Sequence, residues 1–234
     1  MPAKARGPGT DLREIDTFDG GTGWLAHPDE LMRRASHALV DGDDVWVVDP
    51  VDVDELDEFL AEYGTVAGVV VLFSWHARDA GSIAARHNVP VHVPTWVSGI
   101  AGRVDAPVER FDAELAATGY RALRITPNPL WREAALYREA DGTLVVPDSV
   151  GTAPYFRAPG ERLGVSPYQR LWPPRRALGG LDPERVLVGH GTGVFEDAAS
   201  ALTEALAGAR RRAPAAIATN VTIWPRTLAA ALRD

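Results

Sequence analysis

Four residues carry most of the chemistry this sequence offers: Asp49, His76, Asp148 and His190. Each follows an apolar run. Asp49 closes Val45–Val48, His76 lies just beyond Val66–Phe73, Asp148 follows Thr143–Val146, and His190 follows Val186–Val188. Imidazole and carboxylate groups ligate hard and borderline divalent ions, and they serve as general bases in hydrolysis. A lone histidine is more often a surface or satisfied core residue, and His27, His37, His87 and His92 are read that way. In layered α/β proteins, however, sites form where loops leave the strands. Four polar residues in that position point to one shared rim.

Other chemistries find little support. There are no cysteines, which excludes disulfides and thiolate metal sites. No G-x-S-x-G nucleophile elbow surrounds Ser149 or Ser36. Gly20-Gly21-Thr22-Gly23 lacks the Gly-Lys-Ser/Thr of a phosphate loop and reads as a turn. The net charge of −8, from 32 acidic and 24 basic residues, argues against nucleic acid as a partner. The one basic cluster, Arg210-Arg211-Arg212, reads as a helix end and solvated turn. No stretch reaches the roughly 18 consecutive apolar residues of a membrane span, and Met1–Thr10 has no apolar signal core. The expectation is a cytoplasmic protein with a small-molecule substrate and no membrane partner.

The elements that must position these residues follow from periodicity. The 234 residues suit a frayed Pro/Gly-rich tail over residues 1–10 and one domain over 11–234. Leu12–Phe18, Ala35–Val40 and Val45–Val48 read as strands, the last two joined by the Asp41–Asp44 turn. Asp54–Tyr63 and Arg78–His87 read as helices. They alternate with the strands Val66–Phe73 and Val89–Val93, so parallel pairing with crossovers is expected. Ala122–Thr126, Ala134–Arg138, Thr143–Val146 and Val186–Val188 form a second strand set. Residues 151–183 read as a long loop with a short helix, Glu196–Ala209 as a helix, and the tail from Ala213 as helical with Pro225 as its limit. Trp131, Tyr155, Phe156, Tyr168 and Trp172 lie on or beside loops at the rim, as pocket walls or as a lid.

Taken in order, these segments resemble the metallo-β-lactamase superfamily across residues 12–208. Val45–Val48 with Asp49 is similar to its first strand motif. Leu72-Phe73-Ser74-Trp75-His76-Ala77-Arg78-Asp79-Ala80-Gly81 falls where that family has His-x-His-x-Asp-His-x-Gly. Val89-Pro90-Val91-His92-Val93-Pro94 is similar to its “PVYAP” strand. Leu144–Ser149 resembles “GDSL”, which supplies a bridging aspartate, and Gly189-His190-Gly191 resembles “GHG”. The resemblance implies a four-layer αββα sandwich.

It also implies a degenerate metal motif. Aligning Gly81 with the family glycine puts Ser74, His76 and Asp79 at the three histidines and Arg78 at the aspartate. Aligning Asp79 with the family aspartate would instead put Trp75, Ala77 and Ala80 at the histidines. The first register is preferred because it keeps a histidine and the glycine. The family's middle histidine has no counterpart in Thr126-Pro127-Asn128-Pro129-Leu130-Trp131. Two metals need roughly six to eight donors. The implied set is His76, Asp79, Asp148 and His190, enough for one divalent ion (Zn, Mn or Fe). Asp79 or Asp49 would act as base or orienter. The competing reading is that Arg78 pairs with Asp79 and Asp148 and takes the ion's place. Two functions stay open: a hydrolase with one metal or none, acting on a small ester, thioester or phosphate-type substrate, and a catalytically inactive binding or interaction module.

Overall fold

The computed structural model describes residues 1–7, 9, 11–125 and 131–231. Its first sheet has seven strands in sequence order: β1 (Arg13–Phe18), β2 (Gly21–Leu25), β3 (Ala35–Asp41), β4 (Asp44–Val48), β5 (Thr65–Val70), β6 (Val91–Pro94) and β7 (Val108–Phe111). β1–β4 pair antiparallel, and β4–β7 pair parallel. The parallel crossovers carry α1 (Leu56–Ala61) and α2 (Ala80–His87), which pack on β5. With helices on one face and a second sheet on the other, β5 is buried on both sides. That is why the sequence from Val66 onwards is almost continuously apolar.

The second sheet contains β8 (Arg121–Ile125), β9 (Glu133–Arg138) and β10 (Thr143–Val146), then a small hairpin intervenes, β11 (Val150–Gly151) with β12 (Gly164–Val165), and β13 (Arg185–Val188) completes the sheet beside β10 in the order β13-β10-β9-β8. Its residues alternate between two cores. Ala134, Leu136, Val145 and Leu187 face the first sheet. Ala135, Tyr137, Leu144, Val146, Val186 and Val188 face outward. The outer set meets Ala201, Leu202, Ala205 and Leu206 of a long helix. That helix is the fourth element of its kind. α3 (Arg175–Leu178) precedes it, α4 spans Ala198–Asn220, and α5 (Trp224–Ala231) follows. The result is the expected α/β architecture of four layers, helix, sheet, sheet and helix.

Several expectations change. Of the glycine-rich stretch expected as a turn, Gly20 lies in the turn between β1 and β2, whereas Gly21-Thr22-Gly23 belong to strand β2. Gly21 has a φ of 147°, and a methyl there would lie 2.1 Å from the Ala38 carbonyl oxygen, so glycine permits the close approach of β3. Arg210–Arg212 lies inside α4, which continues through Pro214 to Asn220. Arg210 Nε donates to the Leu171 carbonyl, and Arg212 lies 3.7 Å from Glu161, so the cluster ties the long loop to the helix. Pro225 sits in the first turn of α5, where a proline costs no hydrogen bond. Edge strand β7 gave no apolar signal because its middle residues, Glu109 and Arg110, are exposed.

The first residues make hydrogen bonds to the segment after β2. Leu31 and Met32 donate their N–H groups to the Pro2 and Ala3 carbonyls, and Ala5 N–H donates to Glu30.

Candidate metal centre

His76, Asp148 and His190 converge. One ligand atom from each lies within 4.8 Å of the others, and all three residues are buried. The two sheets deliver them from the ends of parallel strands. His76 follows β5, Asp148 follows β10 and His190 follows β13.

Both imidazoles are oriented by what their outer nitrogens bind. His76 Nδ1 lies 3.1 Å from Asp49 Oδ2, and an ionised carboxylate only accepts, so the proton sits on Nδ1. His190 Nδ1 donates to the Met32 carbonyl at 2.8 Å. Each ring therefore turns its Nε2 inward. Burial, and then the Arg78 charge, hold His76 well below the usual histidine value. His190 Nε2 lies 3.1 Å from Asp148 Oδ1. A lone pair facing a carboxylate oxygen is two acceptors in contact, which is favourable only with a proton or a metal ion between them. The separation is also compatible with two ligands of one ion whose bonds are about 2.0–2.2 Å. Buried imidazole, imidazole and carboxylate groups fit a divalent ion.

Asp49 is held as firmly as the ligands. Its Oδ1 accepts the Leu72 N–H at 3.0 Å. Burial pushes its carboxyl up to about 6, against the opposing pull of Arg78. It is a positioning group for His76, as carboxylates behind metal-binding histidines commonly are.

Asp79 does not join the cluster. Its Oδ2 accepts the Asp52 N–H at 2.9 Å, and the residue lines an adjoining, larger cleft. Nor does Arg78 form an ion pair with Asp79 or Asp148 among the described residues. Its half-buried guanidinium is clasped by backbone instead. Nη1 donates to the Ala35 and Asp49 carbonyls at 2.7 and 2.6 Å, and Nη2 reaches the Gly189 carbonyl at 3.3 Å. Nη2 also lies 3.4 Å from His76 Nε2. Arg78 is thus a staple between the ends of three strands, with its charge beside the centre. The segment 126–130, where a middle histidine was sought, lies outside the described residues.

Glu133 was missed by sequence reasoning. It is fully buried and accepts the N–H groups of Asp148 at 2.7 Å and Ser149 at 2.9 Å, the Trp131 indole N–H at 2.6 Å, and the Ser149 hydroxyl. It anchors the loop that presents Asp148. Burial and the nearby Asp148 charge push its carboxyl up to about 7. The only sequence signal was a glutamate opening an otherwise apolar strand.

The pocket over the centre is a cavity of about 40 Å³. Trp75, Tyr155, Phe156 and Tyr168 supply its aromatic wall, and Phe156 stacks on His190 at 5.6 Å. Of the aromatic residues expected at the rim, Trp131 instead packs beneath, against Phe73, and Trp172 is 65% exposed and not part of this wall.

Gly191 sets the direction of His190. Its φ is +100°, and a methyl there would lie 2.3 Å from Thr152 Oγ1 and 2.6 Å from the Ala153 nitrogen. Gly191→Ala is expected to cost about 1–3 kcal/mol of stability, read from urea unfolding. An unchanged unfolding midpoint would show that the loop relaxes freely.

No protein-family model and no curated protein sequence matches the chain. Solved structures do match over most of its length. DIM-1 metallo-β-lactamase superposes with a TM-score of 0.58 at 12% identity, covering 87% of this chain and 97% of that one. The metallo-β-lactamase from Hirschia baltica gives 0.55 at 10% identity, covering 83% and 97%. The chain has the metallo-β-lactamase fold. TMB-1 gives 0.59 at 14% identity, covering 88% and 98%. At such identities the metallo-β-lactamase fold is what is shared, and the chemistry rests on the residues at the centre.

Proposed function

We propose that the chain is a metal-dependent hydrolase of metallo-β-lactamase fold, holding one divalent ion (Zn, Mn or Fe) on His76, Asp148 and His190. Its substrate class is a small ester, thioester or phosphate-type compound. The observation that carries this reading is the convergence of His76, Asp148 and His190, with His190 Nε2 against Asp148 Oδ1 and His190 Nδ1 engaged by the Met32 carbonyl on the far side. An ion held there supplies Lewis acidity and lowers the pKa of water towards about 7. The chain's own part is orientation and exclusion of solvent. Asp49 fixes the His76 ring, Met32 fixes the His190 ring, and Glu133 fixes the Asp148 loop. The walls from Trp75, Tyr155 and Tyr168 shield the reacting group from bulk water. Asp79 has no part in this reading, because its carboxylate is engaged with Asp52.

A second reading rests on Arg78. Its guanidinium beside His76 supplies a resident cation, and the scaffold would then serve as a metal-free binding module. A hydrolysis panel of aryl ester, thioester and phosphodiester substrates separates the two. The hydrolase reading expects turnover of at least one class, lost on chelation and restored by one equivalent of ion. Turnover indifferent to chelation would overturn the metal-dependent reading, and no turnover of any class with the ion supplied would favour the module.

A further inference from the structure

The chain carries a charge of −8, yet a cleft of about 1100 Å³ beside the centre is lined by six cationic side chains and only two acidic ones. The two acids are Asp52 and Asp79. Asp52 is already paired with Arg86 at 2.8 Å. Of the cations, Arg34 is neutralised by Glu30 at 2.7 Å. Arg103 and Arg226 are exposed. Their hydrogen bonds go to backbone carbonyls, Arg103 to Ser74 at 2.7 Å and Arg226 to Met1 at 2.9 Å. Neither has a carboxylate partner within 4.0 Å among the described residues. Arg6 is also exposed on the same wall. These cations come from distant parts of the chain: the first residues, the segment between β6 and β7, and α5. The cleft and the cavity over the metal ligands share Lys4, Arg34, Trp75 and Arg78 in their walls, so they adjoin.

We propose that this cleft is the anion-binding subsite of the substrate, in which Arg6, Arg103 and Arg226 grip a phosphate or carboxylate group while the bond to be cleaved reaches His76, Asp148 and His190. The inference rests on the hydrolase reading for its second half only. Planar guanidinium groups match both oxyanions with two parallel bonds, so phosphate and carboxylate share the chemistry. Clustered like charges in a cleft also raise the local concentration of an oppositely charged ligand. The chain ends thereby acquire a role, because pinning residues 1–7 against Glu30 and α5 completes the wall.

The test uses the full chain stripped of metal by chelator and dialysed, so its result does not depend on whether an ion or any turnover is later found. Pyrophosphate and citrate are titrated separately by calorimetry at low salt. Saturable binding of at least one is expected, with the tighter anion identifying the source of the charge. Arg103→Gln and Arg226→Gln are each expected to weaken it about tenfold, and raising the salt to about 0.5 M to weaken it further. Arg103→Lys and Arg226→Lys should keep part of the affinity. Arg121→Gln, on exposed β8 away from the cleft, should bind as the wild type does. Circular dichroism and melting confirm that each variant is folded. No saturable binding of either anion, or wild-type binding by both glutamine variants, overturns the proposal.

Discussion

Asp148→Ala is expected to abolish stoichiometric metal binding and to lower any metal-dependent turnover by at least about 100-fold. Asp148 is the single carboxylate among the three converging ligands, so its removal takes away both a donor and the charge that offsets the ion's. What remains is two imidazoles beside the Arg78 guanidinium, an environment that repels a cation. His190→Ala should behave alike. Asp49→Asn provides a graded comparison. It leaves all three ligands but weakens the grip on His76 Nδ1, and a loss of about 10–100-fold in metal affinity is expected. The measurement is competition against a metal indicator, with melting curves to show that each variant folds. Equal metal affinity in Asp148→Ala and the wild type would remove the centre from the account.

The second large effect lies outside the centre. Arg170 and Glu161 form an ion pair that is almost fully buried in the long segment between β10 and β13. Glu161 also accepts the Ala158 N–H, and Arg170 donates to the Phe156 carbonyl. Arg170→Met would leave the Glu161 carboxylate buried without its main partner. Breaking a buried pair from one side costs about 3–5 kcal/mol. In a chain of this size that lowers Tm by roughly 10 °C. Because Phe156 stacks on His190, the same change is expected to disturb the metal-ligand geometry. The exposed cluster of Arg86 with Asp52 and Asp57 is the internal control, since Arg86→Ala should cost no more than about 1 kcal/mol. Similar Tm values for Arg170→Met and the wild type would show that water or rearrangement compensates Glu161.

What the sequence made legible follows from the range of each interaction. β4 and β5 are buried on both faces, so Val45–Val48 and the run from Val66 announce themselves by apolarity alone. Polar residues directly after such runs were identifiable, and His76, Asp148 and His190 do meet. Asp79 was misplaced because nearness in sequence is not nearness in direction. It lies three residues from His76, but at the start of α2 its carboxylate turns towards Asp52 instead. Arg78 was read through its charge, whereas its partners are backbone carbonyls from β3 and from the ends of β4 and β13, which leave no pattern in side-chain types. Glu133 was invisible for the same reason, since most of its donors come from the loop after β10. The turn at Gly20 is legible, but its continuation into strand at Gly21–Gly23 is not, because glycine serves both close approach and positive φ, and only the neighbouring strand decides between them.

The central claim is that three side chains from two sheets hold an ion. Elemental analysis of the protein purified without chelator, by plasma mass spectrometry, tests it most directly. About one equivalent of a single divalent transition metal is expected in the wild type, with its loss in Asp148→Ala. Less than about a tenth of an equivalent in the wild type, with none taken up on reloading, would contradict it.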